Sequence, residues 1–203
     1  MARFTNQAQL RYGDSVANSN IAVGEILEVL SATKTAVRKV YAQDDTVTYL
    51  ISVVNSGSVP LNGLTLEDNL GTYAFATTTL TPLSYVADTI NYYVNGVLQP
   101  KPTVTAGAPL TVTGLNIPAG GNALLVYETK PTEYAPLAEE SEITNTATIS
   151  GGGITPVNVK ESIQALSEPV LTITKSVSPV PVTENGTLTY TFLVQNNGNT
   201  AAA

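Results

Sequence analysis

The sequence predicts an all-β protein built of antiparallel sandwiches. Three observations carry that expectation: short alternating strand segments, turn residues spaced between them, and an internal repeat of domain size. The composition leans toward Thr and Val, with 15 Gly and 12 Pro along 203 residues, as many short strands joined by frequent turns require. A hydrophobic content of 43% suffices to bury a core. No window shows a sustained helical period.

Strand segments follow one another at short intervals. TVTYLISVV (46–54) alternates cleanly, and GLTLED (63–68) comes next. TINYYVNGVLQ (89–99) contains Asn95-Gly96, a strong signal for a two-residue hairpin. PLTVTGL (109–115), NALLVYETK (122–130), EITNTATIS (142–150) and VNVKESIQ (157–164) complete the series. Gly151-Gly152-Gly153 precedes a strand, not a helix, and so reads as a turn instead of a phosphate loop. About seven to nine strands in one such unit is the pattern of an immunoglobulin-like sandwich.

The repeat sets the domain organisation. Residues 30–62 can be laid over 171–203 without a gap, so that Leu30/Leu171, Thr33/Thr174, Lys34/Lys175, Thr46/Thr187, Tyr49/Tyr190, Val53/Val194, Asn55/Asn196 and Gly57/Gly198 coincide. FTNQAQL at 4–10 likewise resembles ITNTATI at 143–149. The expected units are a closing-type strand segment at 1–29, a complete repeat at 30–167 and the start of a second, truncated repeat at 168–203.

Composition excludes much chemistry. Nine Lys and Arg against 16 Asp and Glu leave a net charge of −7, which argues against a nucleic-acid partner. With His 0 and Cys 0, a Ser-His-Asp triad, a Cys nucleophile, a thiolate or imidazole zinc site and a disulfide framework are all excluded. An enzyme is not expected, nor is a cofactor. Asp44-Asp45 and Glu139-Glu140 lack the ligand density of a calcium loop and fit solvated turns. Of Tyr92 and Tyr93, adjacent on a strand, one ring should face the core and the other solvent. The amino terminus has no apolar run of signal-peptide length, and no stretch of about eighteen apolar residues predicts a membrane span.

TKTAVRKVYAQDDTVTYLISVVNSGSVPLNGLTLEDNL, IPAGGNALLVYETK and EITNTATISGG together resemble the bacterial conserved repeat domain family, domain of unknown function eleven. The carrying elements are the Thr-Lys first strand, the T-Y-x-x-x-V-x-N-x-G second strand, the L-x-D end of the next and the N-T-A closing strand. The resemblance implies tandem immunoglobulin-like repeats of large bacterial surface proteins, some akin to components of clostridial spore appendages. A structural role at a cell or spore surface follows by analogy. A spore component made in the mother cell would need no signal peptide.

The period of two places polar residues in the core. Lys34 shares a face with Leu30, Ala32 and Ala36, and Lys175 with Leu171, Ile173 and Val177. Asn145 shares a face with Ile143, Ala147 and Ile149, and Asn6 with Phe4, Ala8 and Leu10. A buried ammonium needs compensation. Asp68, beside Leu64 and Leu66, is the best acid, and Glu128, on the face of Leu124 and Val126, is the alternative. Surface immunoglobulin-like domains of Gram-positive bacteria use a Lys, an Asn and an acid to form an intramolecular isopeptide bond. Lys34, Asn145 and Asp68 are that trio here, and a hydrogen-bonded cluster without a covalent bond is the other reading.

The function expected is that of a self-associating fibre subunit whose partners are copies of itself and further repeats. Strand exchange would involve Phe4, Asn6, Ala8, Leu10 and Lys175. Residues 4–12 have two options: to pair with a neighbouring chain or to fold back on their own domain as an edge strand. A cell-surface adhesin or binding module is the alternative function.

Overall fold

A computed structural model describes residues 2–26 and 28–202; Met1, Leu27 and Ala203, which the expected terminal units include, lie outside the described residues. Four strands precede the central unit: β1 (Ala2–Asn6), β2 (Gln9–Tyr12), β3 (Ser15–Asn18) and β4 (Ala22–Ile26). The central unit contains β5 (Leu30–Ala36), β6 (Val40–Tyr41), β7 (Val47–Asn55), β8 (Leu61–Asp68), β9 (Tyr73–Phe75), β10 (Thr78–Leu80) and β11 (Leu83–Tyr85). It continues with β12 (Asn91–Val94), β13 (Val97–Leu98), β14 (Thr103–Thr105), β15 (Leu110–Ile117), β16 (Asn122–Pro131), β17 (Glu142–Ser150) and β18 (Val157–Ala165). Two strands follow, β19 (Leu171–Ser178) and β20 (Thr189–Asn196).

Two six-stranded sheets face each other across the core. One has the order β13-β12-β16-β7-β5, with β11 also on β16, and the other runs β14-β15-β8-β17-β18-β6. The chain therefore passes from one sheet to the other between β5 and β6, where Gln164 pairs in parallel with Val40. Alternation explains the layering. On β7, Val47, Tyr49, Ile51 and Val53 are buried, and on β17 Ile143, Asn145, Ala147 and Ile149 are. These β-branched and aromatic side chains from both inner faces form one contiguous core. Asn95 and Gly96 both have positive φ, 49° and 78°, as a two-residue turn between β12 and β13 requires. Tyr92 is buried and Tyr93 half-buried.

The central unit contains more strands than the sequence announces. β6, β9, β10, β11 and β14 are two or three residues long, too short for alternation to reveal.

Of the two courses expected of the amino-terminal segment, folding back on the sandwich as an edge strand is not the one taken. Residues 4–12 do not join the sandwich edge; they pair with residues 15–24 in a hairpin of their own. Gly13, at φ 55°, opens the two-residue turn between Tyr12 and Ser15. The Ser19 amide donates to the Ala8 carbonyl and carries the ladder past the bulge that separates the two halves.

Both terminal hairpins repeat registers found inside the sandwich, the first of them over β1–β4 alone. Lys34 pairs with Ile51 and Ala36 with Tyr49; Lys175 pairs with Phe192 and Val177 with Tyr190. The Asn55 carboxamide oxygen accepts the Gly57 amide, and Asn196 accepts Gly198 in the same way. Phe4 pairs with Gly24 and Asn6 with Ala22, as Ile143 pairs with Ile163 and Asn145 with Glu161. Asn199 ties the second hairpin to the sandwich: its amide donates to the Leu137 and Leu166 carbonyls at 2.8 and 2.7 Å.

Gly71 has φ 73°, and a Cβ there would stand 2.5 Å from Ile143 Cγ2. Gly153, at φ 76°, has open space around it. Chemical denaturation of Gly71→Ala should therefore show a loss of about 3 kcal/mol, from backbone strain and overpacking together. Gly153→Ala should lose only about 1 kcal/mol, from the backbone alone.

Candidate functional site

The polar centre of the core is assembled from five strands. β5 brings Lys34, β8 ends on Asp68, β7 and β16 supply the paired Tyr49 and Tyr127, and β17 supplies Asn145. Asp68 pairs with Ala147 across β8 and β17, which places Asn145 two residues along on the same inner face. Relative exposure is 5% for Lys34 and 0% for Asp68 and Asn145. The three residues singled out by alternation thus all lie in the core.

Asp68 is the hub. Its Oδ2 accepts Lys34 Nζ at 2.6 Å and also the Tyr127 hydroxyl, while its Oδ1 accepts the Leu70 amide at 2.9 Å. Lys34 Nζ also stands 4.9 Å from the centre of the Tyr49 ring, a cation–π contact. Tyr49 and Tyr127 are stacked, with ring centres 5.9 Å apart.

Asn145 is placed differently. The Tyr49 hydroxyl faces its carboxamide closely enough to offset part of the Tyr49 shift. Even so, the contact falls short of hydrogen-bond geometry, and Tyr49 Oη, Asn145 Nδ2 and Asn145 Oδ1 all lack partners. A buried amide with neither end satisfied costs stability, and such a group calls for an explanation in its surroundings.

Glu128 does not belong to this centre. β16 turns Ala123, Leu125, Tyr127 and Thr129 inward, and Glu128 is half-buried on the opposite face with Leu124 and Val126. NALLVYETK is apolar on both faces, so alternation could not fix its parity. Tyr127, which sequence reasoning missed, takes the inward place and reaches Asp68.

The residues expected for strand exchange lie outside the cluster, on two separate hairpins. Phe4, Asn6, Ala8 and Leu10 are exposed on the first hairpin and Lys175 on the last. Lys175 Nζ lies 4.3 Å from the Tyr190 ring centre and 5.3 Å from that of Phe192. Among the described residues no group of three or more potential ligands could hold a metal ion. Nor is any helix among the described residues long and apolar enough to cross a membrane.

Burial lowers the Lys34 pKa from 10.5 to about 8, against the attraction and hydrogen bond of Asp68. Burial likewise raises Tyr41 to about 12 and raises Tyr49 and Tyr127 further. A free Lys34 gives up its proton near pH 8 in the folded state but near 10.5 when unfolded, so stability rises with pH in that interval. The tyrosines ionise near pH 10 only when unfolded, and their contribution is lost above it. Denaturation across pH of Asn145→Ala, in which Lys34 stays free, should therefore show a climb from pH 8 and a fall beyond 10, with the climb absent in Lys34→Met. A Lys34 already converted to an amide has no proton to release, and wild-type protein would then lack the climb as well.

No family model matches the chain, and no curated protein matches its sequence. Among solved structures the chain is similar to a variant of BcpA, the major pilin subunit of Bacillus cereus, at 11% identity and a TM-score of 0.54. That match covers 97% of this chain and 64% of the pilin. The chain is also similar to the N-terminal domain of the Streptococcus gordonii adhesin Sgo0707, at 14% identity and a TM-score of 0.50, covering 75% of this chain and 36% of that one. It thus spans less than two thirds of either structure. At such identities the likeness is one of fold, and it agrees with the described strands: the chain is an all-β, immunoglobulin-like sandwich protein.

Proposed function

We propose that this chain is a structural module of a bacterial surface fibre whose sandwich is locked by an amide between Lys34 and Asn145. The observation that carries the reading is the buried Lys34–Asp68 pair beside a buried carboxamide with no partner. An ammonium and a carboxylate in the core can exchange a proton within the pair, giving a neutral amine and a neutral acid. The amine attacks Asn145 Cγ while Asp68 donates its proton to the carboxamide oxygen. The tetrahedral centre then expels the original nitrogen as ammonia, which takes up the amine's proton by way of Asp68. One C–N bond forms, one breaks, and no oxidant or cofactor is needed. Tyr127 holds Asp68 in place.

The lock suits a load-bearing element because it joins the first long strand of the sandwich to one near its end. The resemblance to the conserved repeat domain family, and the fold shared with a pilin subunit, support a place in a fibre at the cell or spore surface. The fibre would be joined by exchange between immunoglobulin-like elements of neighbouring copies. Two uncovered hairpins flank the sandwich, which favours that mode of assembly.

An adhesin is the second reading, favoured by a cleft of about 580 Å³ beside Leu80, Tyr85 and Tyr134. Negative-stain microscopy of purified protein separates the two. Filaments that lengthen with concentration support the fibre, whereas a monodisperse monomer retaining a ligand supports the adhesin.

The intact mass of wild-type protein should fall short of the sequence mass by one ammonia. Asn145→Ala and Lys34→Ala should restore the full mass and lower stability by about 4 kcal/mol, as expected for opening a long covalent loop. A full mass in wild-type protein would remove the lock.

A further inference from the structure

The terminal hairpins each present one apolar face that nothing in the described structure covers. On β19–β20 this face holds Leu171, Ile173, Val177, Tyr190, Phe192 and Val194 around Lys175, while Thr172, Thr174, Ser176, Thr191 and Gln195 occupy the other side with Leu193. On the first hairpin, Phe4, Asn6, Ala8, Leu10 and Tyr12 share a face, with Thr5, Gln7, Gln9 and Arg11 opposite beside Val23 and Val16. Phe192 is 56% exposed and Leu10 70%, far more than their counterparts Ile51 and Ile149 at 0% and 1%.

The sandwich shows what such faces do. β5–β7, whose register β19–β20 repeats, and β17–β18, whose register β1–β4 repeats while β2–β3 is offset by one residue, lie against each other from opposite sheets. Tyr49 faces Asn145 between them, and the Ala36 amide donates to Glu161 Oε1 at 3.2 Å.

We propose that the amino-terminal hairpin of one chain lies face to face on the β19–β20 hairpin of a second copy, as β17–β18 lies on β5–β7. This rests on the self-associating reading above and replaces donation of a single strand with docking of a paired one. The side chains are matched in size across the joint. The receiving hairpin is bulkier than its internal counterpart, with Phe192 for Ile51, Ile173 for Ala32 and Val177 for Ala36. The arriving one is smaller on its return strand, with Gly24 for Ile163 and Ala22 for Glu161. The Phe4 ring already lies across Gly24, where a Cβ would come within 2.2 Å of it.

In the joint Asn6 takes the place of Asn145 beside Tyr190. Neither apolar face carries a carboxylic acid in the position of Asp68, so the joint has no acid to drive amide formation and stays non-covalent. Because the two faces differ and sit at opposite ends of the chain sequence, the contact is head-to-tail and extends by addition of further copies.

Complementation tests this on the 203-residue chain. In sedimentation velocity, wild-type protein should form species that grow with concentration and dissociate in denaturant. Leu10→Asp disables one face and Phe192→Asp the other, so each alone should be monomeric. An equimolar mixture should give a dimer that grows no further, because each variant keeps the face the other lacks. The chain has no Cys, so mixed Asn6→Cys and Tyr190→Cys proteins should form a heterodisulfide on oxidation that Gln9→Cys, on the opposite face, does not. A wild-type monomer at every concentration, polymers from either single variant, or a mixture that stays monomeric overturns the proposal. The ammonia loss from the sandwich is read on denatured chains and survives or fails independently.

Discussion

The buried contact between Lys34 and Asp68 constrains the rest of the sandwich. An ion pair removed from water loses several kcal/mol of hydration per ion and is tolerated only when its partners are held in good geometry. The two sheets meet that demand from opposite sides. β5 brings the amine from one sheet and β8 brings the acid from the other, with the Leu70 amide and the Tyr127 hydroxyl supplying further hydrogen bonds to Asp68. Two tyrosines wall the pair off from water. A slip of one residue in β5 would turn Lys34 to the outer face and leave Asp68 buried alone, so the pair also pins strand register.

The same geometry prepares chemistry. Burial favours the neutral amine, and the neighbouring acid can take and return the proton. Asn145 lies on the same inner face with both carboxamide atoms unsatisfied. A resting cluster would gain from satisfying them, and an amide to Lys34 removes the buried charge and the unpaired Nδ2 together. That is why the covalent reading explains more of the centre than a hydrogen-bonded one.

Much of this was legible in the sequence, for a definite reason. β5 and β17 carry Thr or Ser on one face and apolar residues on the other, so the inward Lys34 and Asn145 stood out. β8 ends on Leu66, Glu67 and Asp68, where the alternation still assigns one acid to the core. β16 defeated the method because both of its faces are apolar, which misplaced Glu128 and concealed Tyr127. The amino-terminal hairpin is hidden because the match between residues 4–10 and 143–149 marks only one of its strands. The signal for its partner was present in Tyr12-Gly13-Asp14-Ser15, a two-residue turn flanked by alternating segments. Strands of two or three residues leave no periodic trace at all.

The central claim concerns a bond, and peptide mapping examines it most directly. After denaturation and trypsin digestion of wild-type protein, the account predicts resistance to cleavage after Lys34. It also predicts one branched peptide that joins the segment containing Lys34 to the segment containing Asn145, lighter than their sum by one ammonia. Two separate linear peptides, with cleavage after Lys34 and an intact Asn145, would contradict it.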